Sequence, residues 1–380
     1  MSAHRIRTMC FCAAGALLLG LSAAPAMAAG FSTINLVSDG FVPAKTTDPD
    51  LVNPWGVSYG PTSPFWISDN GTGVSTLYTG NGTKIPLTVP IAPGPGISNP
   101  TGQVFNSTSD FQIAPGKSAV FIFDGEDGRI SGWNPTVSAS SVITVDNSAG
   151  PNSAVYKGLA IGVDGGQNAL YATNFRAGDV EVYNGSFSEI GTFTDPTVAP
   201  GYAPFNIQAL DGHLFVTFAL QDAAKHDDMA GAGFGYVDEF NMDGSFDRRI
   251  ASVGGPLNSP WGLAIAPSSW GSVGGDLLVG NFGDGTIDAF NLSTLSFDGE
   301  LQGHNGAPLK IDGLWALIPG NGGAAGSPGN IYFTAGLNSE NDGLFGAIAV
   351  PEPSAWALSI LGLGLAGAAL RRNRARVVAA

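Results

Sequence analysis

The chain is poor in every group that catalytic or metal chemistry usually draws on. Its 380 residues hold 2 cysteines and 4 histidines. Cys10 and Cys12 both fall in the first 28 residues, which read as a signal peptide: His4, Arg5 and Arg7, an apolar run from Met9 to Leu21, and small residues ending at Ala28. The chain expected after cleavage has no thiol, so disulfides and cysteine-bound zinc are excluded. His213, His226 and His304 show no H-x-H or H-E-x-x-H spacing, so a zinc site would have to be assembled from distant segments. Cations are scarce too. Sixteen Lys+Arg stand against 31 Asp+Glu, for a net charge of −15. Such a surface repels nucleic acid and anionic membranes.

Two motif matches fail on their surroundings. Gly362-Leu363-Gly364-Leu365-Ala366-Gly367 spells G-x-G-x-x-G, but no acidic residue follows it to hold a ribose. The glycines instead belong to an uncharged run, 354–370, followed by Arg371, Arg372, Arg374 and Arg376. As a helix the run spans roughly 25 Å, close to a bilayer core once arginines snorkel. Gly56-Val57-Ser58-Tyr59-Gly60 matches the nucleophile elbow G-x-S-x-G. The repeat described next aligns Ser58 with Ala264, and no helical pattern follows.

What is abundant is glycine, proline and short Val/Ile/Phe/Tyr runs, in a pattern that recurs. "NPWGVSYGP" from Asn53 returns as "SPWGLAIAP" from Ser259. "FWISDNGTGVSTLYTGNG" (Phe65), "VFIFDGEDGRISGWNP" (Val120), "LYATNFRAGDVEVYNGSF" (Leu170) and "LLVGNFGDGTIDAFNLS" (Leu277) share one plan: strand, polar turn, strand. His213 to Phe246 repeats it with an insertion, and "IYFTAGLNSENDGLFGAI" (Ile331) is the sixth copy. A period of about 50 residues with four short strands marks a β-propeller. The expected fold is all-β, a six-bladed propeller of the NHL/gluconolactonase-like kind over 29–350. Its blades cover about 53–100, 101–150, 151–202, 203–257, 258–310 and 311–349. The inner strand of the second blade is expected around Val104–Ile113. The sixth copy lacks an outer strand, so 31–39 is expected to complete it and close the ring.

The end of the chain carries a resemblance. Val350-Pro351-Glu352-Pro353, an apolar helix and an arginine cluster resemble the PEP-CTERM sorting signal over about 30 residues. The resemblance implies a Gram-negative host, export, and transient membrane anchorage through 354–370. It also implies processing near Pro351, Glu352 and Pro353 by an exosortase, and residence at the cell surface or in an exopolysaccharide matrix. "IDGLWALIPG" (Ile311) and the blade motifs are similar to a bacterial propeller family that often carries this tail. That second resemblance implies fold and location only.

In a propeller, the turn between the second and third strands of each blade shares a face with the loop that begins each inner strand. That face should gather Asp69 and Asn70, Asp124 and Asp127, Asn174, Arg176 and Asp179, the His226 loop, Asn281 and Asp284, and Asn338, Glu340 and Asp342, with Asn53, Asn206, Asn258 and Asp312 from the loops. His304 lies in the loop leading to the sixth blade. Oxygen-rich convergence of this kind suits calcium, another divalent cation, or sugar hydroxyls; the same residues also favour hairpin turns for backbone reasons. The insertion "LQDAAKHDDMAGAGFG" (Leu220) is either a solvated loop or a lid over the channel. The expectation is a non-catalytic propeller that binds polysaccharide or docks an exported protein. The enzymatic alternative is a metal-dependent lactone hydrolase of the gluconolactonase type, which should present a glutamate on an inner strand; none is there.

Overall fold

The computed structural model describes residues 30–94, 98–150 and 153–350. The expected signal peptide with Ala28, the sorting tripeptide Pro351-Glu352-Pro353 and the apolar run 354–370 lie outside them. No helix among the described residues is long and apolar enough to cross a membrane.

Six sheets follow one another along the chain, antiparallel throughout except that Thr46–Thr47 pairs parallel with Ser32–Ser38 at the edge of the sixth. Blade one comprises Pro54–Ser58, Phe65–Asp69, Val74–Tyr78 and Lys84–Pro90, in spatial order from the axis outward. Blade three comprises Tyr156–Asp164, Gln167–Asn174, Asp179–Asn184 and Glu189–Phe193, and the other blades follow the same plan. Middle strands such as Phe65–Asp69 are buried along their whole length, because each sheet is covered on both faces by its neighbours. The outermost strand Glu189–Phe193 is almost entirely exposed. That gradient explains why the inner strands read as continuous apolar runs and the outer ones as mixed.

Blade six is built from both ends of the propeller. Ser32–Ser38 pairs antiparallel with Asp342–Ala349, which continues through Ile331–Gly336 to the inner strand Leu314–Pro319. The glycine-rich loop 320–330 folds against blade one, where Asn321 Nδ2 donates to the carbonyls of Gly60 at 3.1 Å and Ser63 at 3.0 Å. The inner strand of blade two differs from the expected position. It runs Pro100–Phe105, and a separate hairpin of Gln112–Ala114 and Lys117–Ser118 follows. The strand stops because Asn106 turns the chain, its Oδ1 accepting from the Thr108 amide at 2.9 Å.

The axis is packed more tightly than side chains permit. A Cβ on Gly56 would lie 2.3 Å from the Thr101 carbonyl oxygen, and one on Gly102 would lie 2.3 Å from the Leu159 nitrogen. These glycines let neighbouring inner strands approach backbone to backbone. Just before this position, which is glycine in four blades and Asn206 and Ala316 in the other two, stands one side chain of a repeating column: Trp55, Thr101, Lys157, Phe205, Trp261 and Trp315. Trp55 stacks on Trp315 at 3.5 Å, and Trp261 meets both edge-on at 6.1 and 5.8 Å. Phe282 stacks on the far side of Trp315 at 3.9 Å. Together the rings plug the channel. Beyond them a void of about 30 Å3 remains between the inner strands. It has room for water and none for a ligand.

Candidate functional site

Above the plug, polar side chains from several blades meet at the channel mouth. The centre is Lys157, from the inner strand of blade three. Its side chain is only 1% exposed, and its ammonium sits 5.0 Å from the Trp55 ring centroid. Burying an ammonium costs several kcal/mol unless carboxylates meet it. Glu126, from the turn of blade two, forms a direct ion pair with it, and Asp227 Oδ1, from the blade-four insertion, lies 3.4 Å away. Burial alone would lower the Lys157 pKa. Glu126, helped by Asp227 and Asp228, overcomes that and holds it above the usual lysine value.

A chain of amides links this pair to blades one and six. Asn70 Nδ2 donates to Glu126 Oε2 at 2.9 Å. Asn53 Nδ2 donates to Asn70 Oδ1 at 3.3 Å and to Glu340 Oε2 at 2.8 Å. Asn53 Oδ1 accepts from the Trp315 indole at 3.0 Å, which ties the mouth to the plug. Backbone geometry places these groups. Asn53, Asn99 and Ser259, each just before an inner-strand proline, have φ of 45°, 47° and 47°. Asn338, Ser339 and Glu340 make a left-handed turn with φ of 52°, 53° and 66°. That conformation costs about 1–2 kcal/mol per residue outside glycine. The turn carries Glu340 over the mouth. Burial raises the Glu340 pKa, the Asn53 amide opposes this, and nearby Glu126 raises it again.

The insertion 221–235 reaches the mouth as a loop closed on itself and on blade five. Asp222 Oδ1 accepts from the His226 amide at 2.8 Å, and Asn258 Oδ1 accepts from the Gly231 amide at 2.7 Å. His226 Nδ1 meets Asp227 Oδ1 at 2.7 Å. That contact raises the imidazole and pulls the Asp227 carboxyl down to about 2. Glu126, His226 and Asp227 bring ligand atoms within 4.8 Å of one another, as a metal site would. The Lys157 ammonium already lies against both carboxylates of that trio.

Of the residues picked out from sequence, Asn53, Asn70, His226 and Glu340 meet in this network, and Asn258 anchors the loop beside it. Others turn into the blades. Asp124 Oδ1 accepts from Thr101 Oγ1 at 2.9 Å and from the Gly102 amide at 2.6 Å, and burial pushes its carboxyl up to about 7. Asp69 accepts from Thr76 Oγ1 at 2.7 Å, while Asn174 and Asn281 donate to Glu181 at 2.7 Å and Asp288 at 2.8 Å. In these three cases the partner lies seven residues on, across the same hairpin. Asn206 lies beyond the plug and donates to the Trp261 carbonyl at 2.7 Å. Arg176 donates to the Ser153 carbonyl at 2.9 Å. Asn338 donates to Asp342 at 2.7 Å, and Asp312 is exposed. His304 lines a separate cleft of about 850 Å3 with Phe31, Trp270 and Val350, where both ends of the propeller leave.

Lys157, at the centre of this network, is a residue that motif reasoning passed over. The signal was present: at its place in the repeat, Trp55, Trp261 and Trp315 are indoles.

Fold and mouth define a six-bladed β-propeller with a plugged axis and one charged, amide-rich face. Residues 349–374 match the PEP-CTERM protein-sorting motif, so the chain carries a signal for export sorting and exosortase processing. The chain belongs to the same family as an uncharacterized protein of Acanthamoeba polyphaga mimivirus. The two are 33% identical over 327 residues, which covers 82% of this chain and 78% of the viral one. A second mimivirus protein is 32% identical over 328 residues, covering 82% and 84%. Among solved structures, the GH93 α-L-arabinofuranosidase of Fusarium graminearum, complexed with arabinobiose, is similar with a TM-score of 0.50 at 11% identity. That match covers 84% of this chain and 98% of the other. At that identity it speaks for the fold alone.

Proposed function

We propose that this protein is exported, displayed at the cell surface or in the extracellular matrix, and binds a hydroxyl-rich ligand of the matrix polysaccharide type without turning it over. The observation that carries the reading is the convergence of Asn53, Asn70, Glu126, Lys157, Asp227 and Glu340 over a closed axis. Carboxylates and amides match sugar hydroxyls, and the plug confines a ligand to the mouth. The sorting motif supports the location. The test is retention of the full chain on polysaccharide from its native matrix. Retention that Asn53→Ala with Asn70→Ala removes supports the reading; no retention of the wild-type chain overturns it.

The trio Glu126, His226 and Asp227 favours a second reading, a metal-dependent lactone hydrolase. Lys157 opposes it, because an ammonium in ion-pair contact with Glu126 repels a divalent ion. Stoichiometric metal together with turnover of a lactone panel would establish the enzyme instead.

A further inference from the structure

The sorting motif begins inside the fold. Its match starts at residue 349, and Ala349 is still paired with Ser32 in the sheet that closes the ring. Val350 is half-buried, and Pro351-Glu352-Pro353 follows it with no spacer. Three residues span at most roughly 11 Å. An enzyme that processes the chain near that tripeptide therefore works against the folded body, and it meets one particular corner of it. The strand Asp342–Ala349 starts beside Glu340 at the mouth and runs for 8 residues, a length of roughly 26 Å. Processing thus falls at the opposite end of the blade from the mouth.

That corner holds the cleft of about 850 Å3. Trp270 and Leu301 are buried in its wall, and Phe31, Val273 and Val350 are half-buried. The wall is fixed before any partner arrives. The Trp270 indole donates to the Gly329 carbonyl at 2.8 Å, and its ring lies 4.7 Å from that of Phe31. The Phe31 amide donates to the Gln302 carbonyl at 2.8 Å. A preformed apolar hollow can be filled with little ordering of the body. Asp298 and Glu300 also line it, and none of the described lining residues is lysine or arginine. Its shape and charge suit a partner that is apolar at the point of entry and basic around it. Its position names the partner: Val350, the residue before the tripeptide, is part of the wall, so whatever grips the tripeptide covers the cleft.

We propose that this cleft is a docking seat for the exosortase-type enzyme that processes the tail. An apolar wedge of the enzyme, flanked by basic side chains, enters between Phe31, Val273 and Val350 and holds Pro351-Glu352-Pro353 at the enzyme's active site. The folded propeller, and not the tail alone, is then the substrate. The proposal is independent of the ligand assigned to the mouth.

The experiment follows tail removal from the full chain in its own host, by intact mass after a pulse of synthesis. The wild-type chain is compared with Val273→Glu and with a chain carrying Gly-Ser-Gly-Ser-Gly-Ser-Ala-Val inserted after Val350. The insert repeats Ala-Val, so the motif stays whole while the tripeptide can move away from the cleft by up to roughly 28 Å. Both altered chains should lose the tail about tenfold more slowly, the effect of one well-packed anchor at an interface. The insert replaces no side chain of the propeller, so it decides even if Val273→Glu fails to fold. Removal at the wild-type rate from the chain with the insert, or from folded Val273→Glu, would overturn the proposal, because the tail would then be recognised by itself. A wild-type chain that keeps its tail in a host processing other such tails would overturn it too. The membrane is the competing occupant. Binding of the full chain to phosphatidylethanolamine–phosphatidylglycerol vesicles that Val273→Glu weakens tenfold would assign the cleft to lipid and overturn the proposal.

Discussion

The ammonium of Lys157 stands 5.0 Å from the centroid of the Trp55 ring, and the two side chains occupy equivalent positions in blades three and one. One blade offers a cation where another offers an indole, and the channel mouth is organised around that substitution. A cation over an aromatic face is attractive in itself. The main compensation for burial still comes from Glu126.

Removing the cation should therefore be more damaging than its single charge suggests. Lys157→Met is expected to destabilise the chain by about 3 kcal/mol, the low end for breaking a buried pair, because Glu126 is left charged and unpaired. Adding Glu126→Gln should recover part of the loss. Urea unfolding of the single and double variants measures both. Equal stability of Lys157→Met and the wild-type chain would contradict the role given to the pair.

The tight axis makes a separate prediction. Gly56→Ala places a Cβ at 2.3 Å from the Thr101 carbonyl, a backbone atom that moves only with its strand. The expected loss is about 2–3 kcal/mol. Gly212→Ala tests left-handed strain without crowding: its φ is 85°, and nothing lies within 4 Å of its added Cβ. It should cost about 1 kcal/mol. Thermal melts that rank the two in the opposite order would argue against close packing of the inner strands.

The left-handed turn beneath Glu340 is strained for non-glycine residues. Ser339→Gly relieves about 1–2 kcal/mol of backbone strain and adds about 0.5–1 kcal/mol of unfolded-state entropy. The net expectation is a small gain in stability, of about 0.5–1 kcal/mol. A clear loss would mean that the Ser339 side chain does something the hydrogen bonds do not reveal.

Stability should also depend on pH in a direction set by buried acids. Burial pushes Asp288 up to about 7, although the Asn281 amide donates to it at 2.8 Å. The folded chain then binds a proton that the unfolded chain releases near 3.8, the ordinary aspartate value. The contribution is present below that value and is lost as pH rises toward about 7. Asp288→Asn should flatten this fall, so its melting temperature relative to wild type rises between the two pH values. A constant difference across that window would contradict the assignment.

Much of the architecture is legible in the chain. The "PWG" segments at Pro54 and Pro260 mark inner strands, and the missing outer strand of the last repeat points to the leading segment. The structure supplies that strand as Ser32–Ser38. The second blade was harder to read because a polar turn at Asn106 ends its strand early and a small hairpin adds apolar residues after it. The mouth was legible only in part. Asp69, Asn174 and Asn281 look like site residues for the reason that also makes them structural: a short polar side chain at a hairpin corner can bond back across the blade. Lys157 pairs with Glu126 and Asp227, 31 and 70 residues away. Such pairs come from closing the ring, and no local pattern encodes them.

The most direct test of the account is calorimetric titration of the full chain with polysaccharide from its native matrix, repeated with the Asn53→Ala, Asn70→Ala double variant. Saturable binding by the wild-type chain, weakened at least tenfold in the variant, is the predicted result, since two amides that hold Glu126 and Glu340 in place are gone. Binding of the same strength in both proteins would place the ligand elsewhere on the propeller and contradict the assignment of the mouth.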